Sequence, residues 1–342
     1  MLKKKLKKGR EHFKNLSQTA HKPYVLIFFE LVYWMSVLKG RFSYYMDYRL
    51  FLKKRRISDY VSTLEFRRIE QRLNSPEYYP ILEDKYFFYK VLEGNGLRSP
   101  KNLYLIDSAG IYNLESRKYI DEGEFLQREL DGFCKIVNGY GGGMIYRMEV
   151  AEGKLLLNRE QKNLGDFRKD IGDEKYLVQE RIIQHPVMNE LNPSCVNTIR
   201  MLSIRKGQTI HLFQDYLRIG INNSYVDNGM HGNIMIGIRE GGRLMDNAYT
   251  SGLDAPSNTL ERHPQTNVCF NDFTIPYYQE SVSMVKSLHE LYQQFYMIGW
   301  DIGITPDGPI VIEGNNITNL YSYQVLYGGM GSAFREFADS PG

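Results

Sequence analysis

From residue 103 onward the sequence is divided into short strand-like segments, and this pattern limits the possible folds more than any other feature. The segments are rich in β-branched and aromatic residues and are separated by glycine, aspartate or asparagine turns. In order they read NLYLID, RKYID, FCKIV, MIYRMEV, KLLLNRE, KYLVQERII, VNTIRMLSI, TIHLFQDYLRIGI and NIMIGIRE. Helix candidates lie between some of them, at 122–131 and 164–171, and an amphipathic helix follows in PYYQESVSMVKSLHELYQQF. Antiparallel strands with flanking helices predict an α+β fold with two lobes.

The first part of the chain is predicted to be helical. It contains few glycines, and SDYVSTLEFRRIEQRL has apolar residues at helical spacing. Ser58 or Asp59 would cap this helix, and Asn74-Ser75-Pro76 would end it. A further helix is expected in EDKYFFYKVLEGNGLRSP. The predicted organisation of the 342 residues is a basic helical region at 1–77, a first lobe at 78–178 and a second lobe at 179–342.

The positive charge is concentrated at the N-terminus. Residues 1–56 contain 15 Lys or Arg and three acids, a net charge of +12, so the rest of the chain carries −9 to give the overall +3. Two interpretations are open: a solvated basic helical region, or one attracted to an anionic surface. We expect no nucleic-acid partner, and the membrane alternative is peripheral contact through the N-terminal lysines and Arg10.

The most apolar stretch is YVLIFFELVYWMSVL, at 24–38. Its fifteen residues include Glu30 and are too few for a membrane-spanning helix. No small-residue cleavage site follows, only Lys39-Gly40-Arg41, so a buried or interfacial helix is expected rather than a signal peptide. The three scattered cysteines fit neither a disulfide framework nor a zinc site, which favours a reducing, cytoplasmic location.

A glycine-rich loop, NGYGGG at 138–143, joins two of the predicted strands. It is not a Walker loop or a dinucleotide fingerprint, because both of those precede a helix. A glycine turn between strands can fold over a polyphosphate and offer it backbone N–H groups, from Gly139, Gly141, Gly142 and Gly143. Lys135 on the incoming strand would add an ammonium group. The alternative is a plain flexible hairpin loop.

The segment GWDIGITPDGPIVIEGN predicts a β-hairpin that carries a metal site. A three-residue loop at 306–308, with Gly308 at positive φ, would set Asp301 opposite Glu313. Asn315 would then share their face, with Ile302, Ile304, Ile310 and Ile312 on the other. Two carboxylates and an amide oxygen suit Mg²⁺ shared with nucleotide phosphates, with Mn²⁺ as a second choice. The alternative is a surface hairpin with incidental acids.

The segment QERII and two arginines supply the remaining candidates. A strand ending in Gln179, Glu180 and Ile182 can offer backbone groups to an adenine edge, and Glu180 or Glu190 a carboxylate to a ribose. The alternative for each acid is an exposed ion-pair partner. Arg200 and Arg218 alternate with apolar residues, and a guanidinium is a natural partner for a transferring phosphoryl group or a carboxylate. His231 belongs either to a substrate loop or to a solvated one.

Taken together, these motifs resemble the ATP-grasp superfamily, and most closely its sugar-transfer-associated group and the related teichuronopeptide-biosynthesis proteins. The segments QERIIQHPVMNELNPSCVNTIRML and YLRIGINNSYVDN resemble that group most strongly, and the similarity covers about residues 78–330. Two features depart from the family pattern. A basic helical segment replaces the usual Rossmann-like domain, and Ile136 stands where relatives often have proline.

The resemblance implies a nucleotide held between two α+β lobes. It implies two nucleotide-binding lysines, Lys85, which follows Asp84, and Lys135. It also implies that Asp301, Glu313 and Asn315 are metal ligands. Arg200 or Arg218 would steady the transferring phosphate, and Asn228 would belong to the substrate-side wall.

The function expected from these features is an ATP- and Mg²⁺-dependent ligase that joins a carboxylate to an amine, or to a hydroxyl, through an acyl-phosphate. Its partners would be ATP, a small carboxylate, and an amine or sugar-linked acceptor, with cell-surface polysaccharide or its sugar precursor as the product class. One alternative is an ATP-dependent phosphotransferase. A second is a non-enzymatic binding module with a basic N-terminus.

Overall fold

A computed structural model of the chain describes residues 20–139, 145–221, 234–250, 259–316 and 318–339. The helices are α1 (Tyr24–Ser36), α2 (Phe42–Asp47), α3 (Thr63–Leu73), α4 (Pro80–Glu83), α5 (Lys85–Gly94), α6 (Glu122–Leu126), α7 (Leu164–Asp170), α8 (Pro186–Leu191), α9 (Tyr278–Leu291), α10 (Leu320–Tyr327) and α11 (Gly331–Asp339). Short 3-10 turns lie at Ile57–Asp59, Pro76–Tyr78, Glu240–Gly242 and Phe270–Asp272. In these residues no helix is long and apolar enough to cross a membrane.

The strands are β1 (Asn102–Ile106), β2 (Ile111–Asn113), β3 (Lys118–Ile120), β4 (Leu130–Ile136), β5 (Ile145–Ala151), β6 (Lys154–Leu157), β7 (Glu160–Lys162), β8 (Tyr176–Glu180), β9 (Thr198–Lys206), β10 (Thr209–Ile219), β11 (Ile234–Gly237), β12 (Ala248–Thr250), β13 (Thr259–Leu260), β14 (Met297–Thr305) and β15 (Gly308–Asn315). The first sheet has the order β3-β2-β1-β8-β4-β5-β6-β7, and the second has the order β13-β12-β11-β10-β9-β14-β15. Neighbouring strands such as β4 and β8, or β9 and β14, run antiparallel. The predicted α+β fold with two lobes and a helical N-terminal region is confirmed.

The first sheet turns one face toward its own core and the other toward the second lobe. Along β4, Cys134 and Ile136 are buried in the first lobe's core. Phe133 and Lys135 alternate with them and are half-buried on the opposite face. Leu177 lies opposite Lys135 on β8 and belongs to the core that includes the second sheet. The Lys135 face is therefore the one that looks into the space between the lobes.

The second sheet is covered on both faces. On β9, Ile199 and Met201 pack into a core shared with α5 and α9. Leu202 and Ile204 point the other way, into a core shared with the N-terminal helices and with α10 and α11. The N-terminal helical region is therefore built onto the second sheet, although its boundary at residue 77 stays a prediction.

Helix α3 differs from its prediction at the N-terminal end. Ser62 is its cap and accepts a hydrogen bond from the Glu65 N–H at 3.2 Å, so the predicted caps Ser58 and Asp59 were wrong. Those two residues belong to a 3-10 turn, and the helix starts later because Tyr60 and Val61 are extended and buried. The predicted end is confirmed, since the helix stops at Leu73.

Two polar residues bind the backbone at the end of the last hairpin: Glu70 in α3, and Asn74 directly after it. Asn74 accepts hydrogen bonds from the Tyr296 and Met297 N–H groups, and its amide nitrogen donates to the carbonyls of Met297 and Asn316. Glu70 accepts from the Thr318 N–H at 3.2 Å. Because these bonds are buried or partly buried, α3 and Asn74 fix the backbone that follows Asn315.

Glu70 makes the stability of the protein depend on pH. Burial raises the pKa of this carboxyl from 4.5 to about 7, and the Thr318 N–H and Arg67 only partly oppose the rise. The folded state therefore binds more protons than the unfolded state between these two values, so the contribution of Glu70 to stability falls as pH rises through them. Glu70→Gln cannot titrate. We expect its free energy of unfolding, relative to the wild type, to increase by about 3 kcal/mol between pH 4.5 and pH 8.

Urea unfolding of both proteins across this pH range measures that difference. Glu93→Gln is the matched control, since Glu93 is exposed on α5. A difference between Glu70→Gln and wild type that stays constant with pH would show that Glu70 is ionised in the folded protein.

Candidate nucleotide and metal site

The C-terminal hairpin places Asp301 opposite Glu313, and it does so by a different route from the predicted one. Thr305 pairs with Gly308, so the loop contains two residues, Pro306 and Asp307, rather than three. A register shift follows between Asp301 and Ile302. This one-residue bulge restores the offset that the shorter loop removes. Asp301 and Glu313 therefore share one face, and Asn315 lies opposite Gly299 on that same face.

The bulge also changes where two isoleucines lie. Ile302 and Ile304 are buried in the core on the far side, as expected. Ile310, however, is opposite Gly303, and a Cβ on Gly303 would touch both Ile310 and Ile312. Since Gly303 shares the face of Asp301 by strand alternation, the prediction that Ile310 and Ile312 lie on the other face was wrong. The acids therefore stand beside an apolar patch.

Asp301 is the centre of a buried ion cluster with the two predicted arginines. Arg200 lies directly across the ladder from Asp301, and its Nε is 2.6 Å from Asp301 Oδ1. Arg218 Nη2 is 2.8 Å from Asp301 Oδ2, and Arg218 Nε donates to Thr198 Oγ1 at 3.0 Å. The Asp301 side chain is only 4% exposed, against 13% for Arg200. Contacts of this length between buried charges hold all three side chains in place.

The electrostatics of the cluster keep Arg200 charged. Burial is the largest single influence on the pKa of its guanidinium and lowers it, and the charge of Arg218 lowers it further. The Asp301 carboxylate, together with Tyr216 and Tyr323, acts in the opposite direction, and the net effect is a raised pKa. Gly299 provides the room, because a Cβ there would come within 2.8 Å of Thr318 Oγ1 and 3.3 Å of Arg200 Nη1. The cluster thus brings two permanent positive charges to one face of the second sheet.

Glu313 and Asn315 flank this cluster and lie near a tyrosine that links three elements. Both are half-buried, and the Asn315 amide nitrogen donates to the Gly299 carbonyl at 3.2 Å. The Tyr89 hydroxyl donates to the Ile312 carbonyl at the bulge. Burial raises the pKa of Tyr89, and the negative charges of Glu313 and Asp301 raise it further. Tyr89 therefore stays neutral and acts as a hydrogen-bond donor between α5 and β15.

The oxygen-bearing side chains on this face, those of Asp301, Glu313 and Asn315, fit a divalent cation unequally. The described residues contain no cluster of three His, Cys, Asp or Glu side chains, so a third ligand must be an amide such as that of Asn315. Glu313 and Asn315 are adjacent, oxygen-bearing and partly accessible, which suits Mg²⁺. Asp301 fits only in part, because Arg200 and Arg218 already contact both of its carboxylate oxygens. The fit is therefore best for Glu313 and Asn315.

The predicted phosphate-binding lysines lie at the mouth of the glycine loop. Lys85 begins α5 behind its cap Asp84, and its Nζ donates to the Gly139 carbonyl at 3.0 Å. Its backbone N–H donates to the Val137 carbonyl at 3.1 Å. A Cβ on Gly139 would come within 2.4 Å of the Ile136 side chain, so this position requires glycine. The structure thus joins Lys85 to the strand that carries Lys135.

The segment QERII at 179–183, here called the hinge, contributes Arg181, Ile182 and Ile183 to a cavity of about 410 Å³ whose other walls include β4, β5 and residues 193–196. The cavity is lined by, among others, Phe133, Arg147, Ile182, Gln184, Cys195 and Val196. Phe133 is two residues before Lys135 on the same face of β4, so the cavity and the lysine share one surface. Most of the lining is polar and includes three arginines, Arg147, Arg159 and Arg181, while Phe133, Ile182 and Val196 form an apolar part. The size of the cavity suits a planar aromatic base with polar edges.

The other residues predicted for the adenine and ribose site differ in burial and in their hydrogen bonds. Gln179 is buried, and its amide nitrogen donates to Asn102 Oδ1 at 2.9 Å. Glu180 is exposed and accepts from the Lys101 N–H at 2.9 Å. Glu190 is exposed on α8. Gln179 therefore ties β8 to β1, while the two glutamates keep their carboxylates at the surface.

Several predicted residues lie outside the described part of the chain. These are Gly141, Gly142, Gly143, Asn228, His231 and the N-terminal basic residues before 20. Their assignments stay predictions.

Other polar residues at the site were missed by the sequence reasoning. Thr198 holds Arg218, and Tyr89 reaches the bulge. The hydroxyls of Thr318 and Tyr323 are buried and have no hydrogen-bond partner within the described residues. Helical spacing shared by Phe88, Tyr89 and Leu92 would have placed Tyr89 on the buried face. No local sequence signal indicates Thr318 or Tyr323, because their positions depend on the end of the hairpin.

A two-lobed antiparallel fold with a glycine loop, hinge strand and acidic C-terminal hairpin defines an ATP-grasp protein. The sequence comparison makes the assignment specific. A model of the sugar-transfer associated ATP-grasp family matches residues 65–333, and the chain belongs to that family. No curated protein sequence is similar enough to match.

Solved structures with similar folds include three ligases or synthetases. L-amino acid ligase from Bacillus licheniformis is 12% identical with a TM-score of 0.38, over 74% of this chain and 42% of that chain. N5-carboxyaminoimidazole ribonucleotide synthetase from Thermotoga maritima is 14% identical with a TM-score of 0.41, over 83% and 57%. D-alanine–D-alanine ligase from Bacillus anthracis is 12% identical with a TM-score of 0.39, over 75% and 67%. The chain thus spans about half of the first of these and somewhat more of the others.

Proposed function

We propose that the protein is an ATP- and Mg²⁺-dependent ligase that joins a carboxylate to an amine, or to a hydroxyl, through an acyl-phosphate. The observation that carries this proposal is the ion cluster of Arg200, Arg218 and Asp301 on the same face as Glu313. On this face fixed positive charge lies beside carboxylate and amide oxygens that could hold a metal ion, which supports the proposal. Phosphoryl transfer to an anion needs this combination, because both reactants are negatively charged.

The nucleotide would lie along the surface from the hinge to the ion cluster. Its base would occupy the cavity beside Ile182 and Val196, with backbone groups of the hinge at its edge. Its phosphates would pass Lys135 and Lys85 under the glycine loop. Lys85 would exchange its bond to the Gly139 carbonyl for a bond to a phosphate oxygen.

The reaction itself would have two steps. A carboxylate oxygen of the substrate attacks the γ-phosphorus, the bond to the β-phosphate bridge breaks, and ADP leaves. The amine nitrogen then attacks the acyl carbon, inorganic phosphate leaves, and the amine proton passes to solvent. Arg200 or Arg218 would stabilise the negative charge on the transferring group, and the hydroxyls of Thr318 and Tyr323 are further donors for its oxygens. No strong base is required if the amine arrives neutral.

Glu313 and Asn315 would hold the Mg²⁺ ion, with Asp301 joining them only as its contacts to the arginines loosen. When bound, the ion would neutralise phosphate charge and orient the phosphate chain. The substrate class we propose is an amino acid or sugar-borne carboxylate in cell-surface polysaccharide assembly, on the cytoplasmic side. This class follows from the sugar-transfer association of the family.

A screen for ADP release tests the proposal. Purified protein is incubated with ATP, Mg²⁺, hydroxylamine and, one at a time, amino acids and uronic acids. We expect one carboxylate class to give ADP together with a hydroxamate, because hydroxylamine traps an acyl-phosphate. ADP release with a stable phosphorylated product and no hydroxamate would identify a phosphotransferase instead. Absence of Mg²⁺-dependent nucleotide binding would identify a binding module.

A further inference from the structure

The first described helix exposes a large apolar surface. Of the fifteen large apolar residues that are exposed in the described chain, ten lie between Tyr24 and Phe42. Phe28 is 51% exposed and Phe29 is 63% exposed. Single exposed apolar residues are normal, whereas a contiguous patch of this kind marks an interaction surface.

Within the described residues, α1 packs through one stripe of its surface. Ile27, Leu31 and Trp34 are buried at positions i, i+4 and i+7, against the core that also includes Tyr45 and Leu50. The remaining apolar residues of the helix face outward. A helix that is apolar all round is typical of burial on every side, or of contact with lipid.

Cations stand at both ends of this apolar face. Lys39 and Arg41 are exposed just after the C-terminal end of α1. The Lys53 N–H donates to the Ala20 carbonyl at 3.3 Å, which places the exposed Lys53 and Lys54 at the N-terminal end. The apolar face is therefore flanked by four exposed positive charges.

The acidic residues between 20 and 56 contact groups other than the exposed lysines. Residues 20–56 contain two, Glu30 and Asp47. Glu30 pairs with the buried Lys22 at 2.7 Å, and Asp47 accepts a hydrogen bond from the Tyr321 hydroxyl at 2.8 Å. Neither one neutralises the exposed lysines. The surface offered to a partner is apolar in the middle and positive at both ends.

We propose that α1 docks in the surface of an anionic phospholipid bilayer, parallel to the membrane plane. The Phe28 and Phe29 side would enter the acyl-chain boundary, while Lys39, Arg41, Lys53 and Lys54 meet lipid phosphates. Thirteen residues of helix rise about 20 Å, less than the roughly 30 Å hydrocarbon core, so the helix lies in the interface. A second copy of the chain suits this surface less well, because a two-fold contact would bring like charges together.

Vesicle flotation of the full chain tests this proposal. Vesicles of phosphatidylcholine alone are compared with vesicles containing one quarter phosphatidylglycerol. We expect the wild type to float with the anionic vesicles. Phe28→Ser combined with Phe29→Ser should raise the lipid concentration for half-binding about tenfold or more, because apolar contact area is lost. Tyr119→Ser is the matched control, since Tyr119 is 63% exposed on the distant strand β3.

A second double variant tests the charges. Lys53→Glu with Lys54→Glu should remove the preference for anionic over neutral vesicles. The proposal is overturned if the wild type binds neither vesicle, or if the phenylalanine variant binds as the wild type does. It is also overturned if light scattering shows a dimer that the phenylalanine substitutions convert to a monomer without any lipid binding. None of these residues lines the cavity or belongs to the ion cluster. Nucleotide binding should therefore be unchanged in all the variants, so the outcome is separate from that of the ligase proposal.

Discussion

Glu313→Gln is expected to abolish ADP release and to remove the Mg²⁺-dependent part of nucleotide affinity. Glutamine has the same shape, but its neutral amide is a poor Mg²⁺ ligand, and Glu313 is the most accessible carboxylate of the proposed site. We expect turnover to fall by at least about a hundredfold, since a ligand of the ion is lost rather than an outer contact. The free energy of unfolding should change by less than about 0.5 kcal/mol, because Glu313 lies outside the Arg200–Asp301–Arg218 cluster.

The nucleotide measurement does not depend on knowing the substrate. The shift in melting temperature caused by ADP is recorded with and without Mg²⁺, for the wild type, Glu313→Gln and Glu160→Gln. Glu160 is exposed on the edge strand β7, and its variant should behave as the wild type. Wild-type turnover in Glu313→Gln, or an undiminished Mg²⁺ effect on ADP binding, would refute the metal assignment.

The fold was largely predictable because local patterns agree with the tertiary structure. Alternation and turn residues gave the strands of both sheets, and helical spacing gave α3, α5 and α9. The short strands β2, β7, β12 and β13 were missed, since segments of two or three residues carry no periodicity. The helices α8, α10 and α11 were also missed, and they have only six to nine residues each. The cap of α3 was wrong because Tyr60 and Val61 are held extended by packing that no local rule describes.

The site was predictable in its residues and less so in its geometry. Strand alternation put Asp301, Glu313 and Asn315 on one face, and the register agrees. The bulge beside Ile312 could not be read from the sequence, because the predicted three-residue loop and the actual two-residue loop with a bulge give the same pairing. The contact of Asp301 with Arg200 and Arg218 could not be predicted from the sequence either, because it depends on the order of β10, β9 and β14 in the sheet. That contact has the largest energetic consequence in the site.

Asp301→Asn is expected to lose activity and also to destabilise the protein by about 3–5 kcal/mol. The carboxylate neutralises two largely buried guanidiniums, at 2.6 Å and 2.8 Å, and its removal leaves two positive charges that repel each other with no carboxylate between them. Asp307→Asn is the matched control, because Asp307 lies in the turn of the same hairpin and its side chain is 86% exposed near Arg98. That control should cost no more than about 1 kcal/mol.

A double-mutant cycle separates the structural role of Asp301 from its chemical role. Adding Arg218→Met to Asp301→Asn removes one of the two charges that repel each other, so part of the lost stability should return, with a coupling energy of about 1–3 kcal/mol. Activity should not return, because the double variant lacks both a candidate ligand and a guanidinium for the transferring phosphate. Urea unfolding gives the stabilities, and the ADP-release assay gives the activities.

Additive effects on stability would mean that Asp301 and Arg218 do not interact, and the ion cluster would then not exist in solution. Recovery of activity along with stability would assign the cluster a purely structural role and leave the phosphoryl transfer to other cations, such as the two lysines at the glycine loop.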